Sequence, residues 1–116
     1  MKKIFLTLIF ALSLLSYPAQ TIIEQVKDFG SNPGKLEMFI HRPYHLIDTV
    51  RHRSKKPLVV VLHGCNQSAK TMVRETGWNK LADHFDFYVV YPDQSRLNNA
   101  SDCFNWFNEE DITRNG

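Results

Sequence analysis

Cysteine, surplus charge and long apolar runs are all scarce in this chain. Two cysteines in 116 residues are too few for a miniprotein held together by disulfides. Lys and Arg number 14 against 12 Asp and Glu, a balance too even to point to nucleic acid or to an anionic membrane surface. The longest uncharged apolar run, Ile4 to Leu15, is followed by Pro18 and falls short of the roughly 20 residues that a membrane-spanning helix needs, so no stable membrane anchor is expected. No internal repeat, low-complexity tract or linker is visible. What is present is ordinary for a globular chain: 43% hydrophobic and 12% aromatic residues exclude disorder, and the length allows one modest domain, since domains run to roughly 100–200 residues.

Lys2 and Lys3 precede the apolar run, and Ser16-Tyr17-Pro18-Ala19-Gln20 follows it. This is the layout of an export signal, expected to occupy residues 1–19. Its short Met-Lys-Lys opening is in a bacterial style, and the expected destination is secreted or periplasmic. Two lysines and no acid leave with the signal, so the remainder is charge-neutral. The cluster Arg51-His52-Arg53-Ser54-Lys55-Lys56 is a local exception, read as a solvated loop rather than a phosphate site. Export would place Cys65 and Cys103 in an oxidising compartment, where a pair can form a disulfide; free-thiol titration tests it.

Beyond the signal, strands and helices alternate. Ile22–Phe29 and Lys35–His41 flank the turn formers Gly30-Ser31-Asn32-Pro33-Gly34, a β-hairpin pattern in which Leu36, Met38 and Ile40 alternate with Lys35, Glu37, Phe39 and His41. Leu58–Leu62 is apolar without alternation, as expected of a parallel strand buried on both faces. Ser68 can cap a short helix to about Glu75. Trp78, Leu81, Ala82 and Phe85 recur at helical spacing, with Trp78, Leu81 and Phe85 expected in the core. Asp86 ends that helix, and Phe87–Tyr91 is a second buried strand closed by Pro92. Strand, helix, strand implies a βαβ crossover and a fold of the α/β class.

In such folds binding groups gather at the carboxyl ends of the strands. His63-Gly64-Cys65, directly after the first buried strand, is therefore the first place to look for chemistry: a His-Gly turn frees backbone N–H groups to face an oxyanion. Glycines also end buried strands for packing reasons, so these two residues alone do not decide it. Trp106 and Phe107 either pack over the sheet or line a hydrophobic substrate groove. The five histidines, His41, His45, His52, His63 and His84, form no metal signature, because Pro43 breaks any helix that would pair His41 with His45. Ser68 and Ser95 lie in loops without the strained turn that exposes a nucleophile. Cys65 beside His63 invites a thiol mechanism, but adjacent positions in a strand-end turn point in different directions. Asn66-Gln67-Ser68 and Asn99-Ala100-Ser101 match a glycosylation pattern of little meaning in a bacterial chain.

From Pro57 onward the chain resembles the poly(3-hydroxyalkanoate) depolymerase family of secreted esterases, which includes feruloyl and acetylxylan esterases. The resemblance rests on five ordered segments: Leu62-His63-Gly64-Cys65-Asn66-Gln67, Gly77-Trp78-Asn79-Lys80-Leu81-Ala82-Asp83, Val89-Val90-Tyr91-Pro92-Asp93-Gln94-Ser95, Cys103-Phe104-Asn105-Trp106-Phe107, and Asp111 with Arg114 and Gly116. Phe104 stands where the family pattern has tryptophan. The resemblance implies the N-terminal portion of an α/β-hydrolase with an incomplete sheet, and an ester substrate, polymeric, acyl or aromatic, with no cofactor. It assigns the Cys65 backbone N–H to the oxyanion hole, with His63 and Gly64 shaping the turn, and leaves Cys65 a backbone or disulfide role.

In such an esterase a serine on a Gly-x-Ser-x-Gly turn attacks the ester with help from a histidine and an aspartate. No Gly-x-Ser-x-Gly occurs in the sequence, and the resemblance places it, with the triad aspartate and histidine, beyond Gly116. Residues 20–116 are accordingly expected to be the first part of an esterase domain, inactive alone, with Val59-Val60-Val61 left as an open apolar edge. The reading from a different class is a non-catalytic exported module, or gene remnant, that binds an acyl or aromatic ligand or another chain.

Overall fold

The structure, a computed structural model, describes residues 23–43 and 55–113. The expected export signal, the cluster Arg51–Ser54, His45, His52 and Arg114 lie outside the described residues.

Four strands form one mixed sheet: β1 (Glu24–Val26), β2 (Glu37–His41), β3 (Leu58–Val60) and β4 (Tyr88–Asp93), in the order β1-β2-β4-β3. β1 and β2 make the expected antiparallel hairpin. Its turn is closed by Asn32, whose side chain donates to the Leu36 carbonyl at 2.8 Å and accepts the Leu36 N–H at 3.1 Å, imitating a strand pair. β2 pairs antiparallel with β4, and β3 pairs parallel with β4. The parallel pair is bridged by α1 (Ala69–Glu75) and α2 (Trp78–Phe85), and a short α3 (Glu109–Ile112) lies near the end of the described chain.

Local signals set these helices. Ser68 caps α1 by accepting the Thr71 N–H. Gly77, at φ 73°, makes the left-handed step between α1 and α2 that a side chain would strain. Asp86 ends α2 in the left-handed conformation at φ 61°, with its N–H on the Ala82 carbonyl and its carboxylate on Lys56 Nζ at 2.5 Å. The Lys56 side chain is buried in that pair and is not part of a solvated loop.

Both helices cover one face of the sheet. Phe39 on β2 sits opposite Tyr91 on β4, and His41 opposite Val89. These four side chains, with Val61, Ala69, Met72 and Ala82, are buried beneath the helices. The hairpin's buried face is therefore Phe39 and His41, not the Leu36, Met38 and Ile40 series. Phe39 meets the centre of the sheet, and His41 Nε2 bonds to Asp83 of α2 at 2.8 Å.

Three further expectations are corrected. The run Leu58–Leu62, of which β3 takes the first three residues, is buried on one side only: Val61 is in the core and Val59 half-buried, whereas Leu58, Val60 and Leu62 are exposed, because among the described residues β3 has one neighbouring strand and no layer over its second face. In α2 the side against the sheet is Asn79 and Ala82, so Trp78 is half-buried, edge-on to Phe87, while Leu81 and Phe85 are exposed. Pro92 does not close β4 but lies within it. The Tyr88 N–H donates to the Pro57 carbonyl and the Val90 carbonyl accepts the Val61 N–H, so even-numbered residues of β4 face β3. Position 92 is the next in that series, and its missing N–H leaves the Val61 carbonyl without the next ladder donor, so the parallel pairing stops at Val60.

Candidate functional site

The loop after β3 is a tight turn held from both ends. The Gln67 N–H donates to the Gly64 carbonyl at 3.2 Å, and the Gly64 N–H donates to Gln67 Oε1 at 2.9 Å. A Cβ on Gly64 would lie 2.9 Å from that same oxygen, so a side chain here would push the Gln67 amide aside. His63 is buried under this turn, its Nδ1 2.8 Å from the Gly64 carbonyl. Its Nε2 accepts the Gln94 N–H at 3.0 Å and lies 3.3 Å from Asp93 Oδ1. Phe104 leans on the imidazole with ring centroids 4.8 Å apart, so an aromatic ring without an indole N–H fills that place. Asp93 also accepts the N–H of Ala69, tying the end of β4 to the start of α1.

A second loop, residues 94–105, braces the first. Cys65 and Cys103 are joined in a disulfide across a sequence separation of 38, and the Asn66 N–H donates to the Ser101 carbonyl at 2.6 Å. Gln94 Nε2 donates to the Cys103 carbonyl, Asn99 to Asn105, and Asn98 reaches back to Gly34 in the hairpin turn. With Cys65 oxidised there is no thiol for nucleophilic chemistry, which removes the thiol mechanism. Ser68 and Ser95 use their hydroxyls as turn acceptors, for the Thr71 and Leu97 N–H groups.

Around the turn, Gly64, Asn66 and Gln67 each donate their N–H to an identified acceptor, whereas the Cys65 N–H meets none among the described residues. A free, preorganised backbone donor at the carboxyl end of a parallel strand is what an oxyanion requires. Thus the structure brings His63, Gly64, Cys65 and Cys103 together. It leaves Trp106 and Phe107 outside the core, 73% and 59% exposed, stacked edge-to-face on each other at 5.6 Å. Packing over the sheet is therefore not their arrangement. Reasoning from sequence missed Gln67, Asp93 and Gln94 as the groups that hold the turn. Their one signal was position, beside the His-Gly pair and at the end of the next strand.

Away from this turn the buried polar pair is Tyr91 and Asn79: the phenol donates to Asn79 Oδ1 at 2.5 Å, and burial pushes the Tyr91 hydroxyl up to about 12. Among the described residues, no three His, Cys, Asp or Glu side chains gather closely enough to hold a metal ion.

Known proteins resemble this chain. Residues 45–116 match the esterase PHB depolymerase family. Poly(3-hydroxyalkanoate) depolymerase C of Paucimonas lemoignei is 46% identical over 107 residues, 92% of this chain and 23% of that protein. Feruloyl esterase B of Talaromyces funiculosus is 32% identical over 94 residues, 81% of this chain and 24% of its own length. An acetyl xylan esterase from Aspergillus awamori superposes with a TM-score of 0.52 at 30% identity, covering 61% of this chain and 24% of that one. The fold is thus that of an α/β-hydrolase, and the chain spans about a quarter of the length of the curated relatives it matches. Since that family match takes in more than half of the chain, including the turn after β3 and all of its braces, the chain belongs to the esterase PHB depolymerase family.

Proposed function

We propose that this chain supplies the oxyanion-binding part of a secreted carboxylic-ester hydrolase acting on polyesters or on acyl or aromatic esters. The observation that carries the reading is the Cys65 N–H, without an acceptor among the described residues, in a turn where Gly64, Asn66 and Gln67 all have theirs. When an ester carbonyl is attacked, its oxygen becomes an anion, and a fixed donor already aimed at that position stabilises the transition state by about 2.7–4 kcal/mol. In α/β-hydrolases a second donor follows the nucleophilic serine, which stands in Gly-x-Ser-x-Gly. This sequence has no such motif, so the 116 residues alone have a donor without a nucleophile. Export is supported by the Lys2-Lys3 and apolar-run layout of residues 1–19 together with the Cys65–Cys103 bond, which needs an oxidising compartment. Trp106 and Phe107 are offered as the apolar rim of the substrate groove, on the strength of their exposure and their place three and four residues after Cys103.

The test has two arms. The DNA following the Gly116 codon is read in all three frames, where a Gly-x-Ser-x-Gly is expected within a few dozen codons. The purified 116-residue chain is assayed with p-nitrophenyl butyrate, where no turnover is expected. Turnover by this chain overturns the assignment of the nucleophile to another segment. Downstream DNA without the motif favours the non-catalytic module, for which the exposed Leu97, Trp106 and Phe107 are the natural ligand contacts.

A further inference from the structure

We propose that His63 is the positioning residue of the oxyanion donor: a proton held on its Nδ1 fixes the Gly64 carbonyl and so aims the Cys65 N–H. This deepens the ester-hydrolase reading and rests on it for its purpose, but not for its geometry.

The Gly64 carbonyl and the Cys65 N–H belong to one peptide group, and in a trans peptide they point in opposite directions in a common plane. Whatever holds the carbonyl therefore aims the N–H. Two donors hold it, the Gln67 N–H at 3.2 Å and His63 Nδ1 at 2.8 Å. A histidine can do this only if the proton sits on Nδ1. The partner of the other nitrogen decides that: Gln94 offers its backbone N–H to Nε2 at 3.0 Å, which demands a lone pair there. A proton on Nε2 would face the Gln94 N–H and leave the Gly64 carbonyl against a bare Nδ1. Asp93 Oδ1 accepts the Ala69 N–H and, though 3.3 Å from Nε2, is not aligned for a hydrogen bond with it, so the bond at Nε2 is that of Gln94. The ring is buried and wedged by Phe104, so it has no room to turn over. The chain from cause to effect thus runs from the end of β4, through the tautomer of His63, to the direction of one N–H. Gln67 holds the preceding peptide in the same way, through the Gly64 N–H on its Oε1.

The experiment uses the full 116-residue chain with its disulfide formed, 15N-labelled. Long-range correlation of the imidazole nitrogens reads the tautomer, and the Cys65 amide is followed by its chemical shift. The unsubstituted chain is expected to show Nδ1 protonated and Nε2 bare. His63→Phe fills the space without a donor. It is expected to shift the Cys65 amide resonance, with the Val89 and Tyr91 amides still protected. His63→Asn, which keeps an N–H near the Nδ1 position, is expected to restore the Cys65 signal. A merely space-filling histidine would be replaced by phenylalanine without moving that signal, and the asparagine would not rescue it. An Nε2-protonated ring in the unsubstituted chain, or an unmoved Cys65 amide in folded His63→Phe, overturns the proposal. The tautomer measurement stands even where His63→Phe does not fold. None of these readouts needs ester turnover, so loss of the hydrolase reading and loss of this one are told apart.

Discussion

The loop at the end of β3 and the outer surfaces of β3 and α2 lie within one small molecule, yet they are built on opposite terms. In the loop, three of four successive N–H groups have named acceptors, the imidazole beneath is buried, and a disulfide and a backbone bond tie it to residues more than thirty positions away. On the outer surfaces, Leu58, Val60, Leu62, Leu81 and Phe85 stand exposed. The first region has more order than packing alone requires, and the second has more apolar surface than solubility favours. The contrast shows where this chain concentrates its rigidity: on the backbone group proposed to meet the substrate, even while the sheet that supports it keeps one face open among the described residues.

Breaking the brace gives the largest expected effect. Replacing Cys65 and Cys103 by alanine, or reducing the bond, opens a loop of 38 residues' separation. Chain-entropy arguments put the loss near 4 kcal/mol, read as a lowered denaturation midpoint that reductant no longer affects in the double variant.

The buried pair between the two regions comes next. Tyr91 ionises near 10 in the unfolded chain and near 12 in the folded one, because its burial disfavours the charged form. Below pH 10 both states are protonated and this contribution is intact. Between pH 10 and 12 the unfolded chain gives up a proton that the folded chain keeps, so stability falls, by up to about 3 kcal/mol across that window. Tyr91→Phe is expected to lose this alkaline step in a pH series of denaturant melts. At neutral pH the same variant is expected to cost about 1–3 kcal/mol, since it leaves the buried Asn79 oxygen without its donor.

Smaller changes sharpen the contrast. Ser68→Ala removes the cap where the loop passes into α1 and is expected to cost about 1 kcal/mol in a thermal or denaturant melt. Leu81→Gln and Phe85→Ser, on the exposed flank of α2, are expected to fall within about 0.5 kcal/mol of the parent. Val60→Lys on the open edge is expected to leave stability nearly unchanged while reducing self-association with rising concentration, read by light scattering. A large loss of stability in any of these three would mean that the exposed surface is not exposed in solution.

Much of this fold was legible because its cues are local. Asn32 and its neighbours mark the hairpin turn, Ser68 and Asp86 mark helix ends, and the βαβ order follows from two apolar runs around a helical stretch. The His-Gly-Cys segment was legible as well, through its place after a strand. Burial was not. A period of 3.6 shows that Trp78, Leu81, Ala82 and Phe85 share a flank of a helix, but not how far the helix is rotated against its sheet. Here the Asn79–Tyr91 bond and the close contact at Ala82 turned that flank partly outward. Likewise an unbroken apolar run predicts two buried faces only if something lies on both, and Leu58, Val60 and Leu62 have no cover among the described residues.

By itself the sequence determined the chain order of the strands and of α1 and α2, the ends of those two helices, and the presence of a turn after β3. These depend on caps, turn residues and runs within a few positions of one another. Tertiary structure alone decided that Cys65 meets Cys103, that Gln94 supplies the N–H which holds His63 in one tautomer, that Asn79 rather than Leu81 faces the sheet, and that Pro92 turns its missing N–H toward β3 and ends that ladder. Each of these joins residues from 12 to 38 positions apart or depends on which neighbouring strand a backbone group faces, and no local pattern encodes such a meeting.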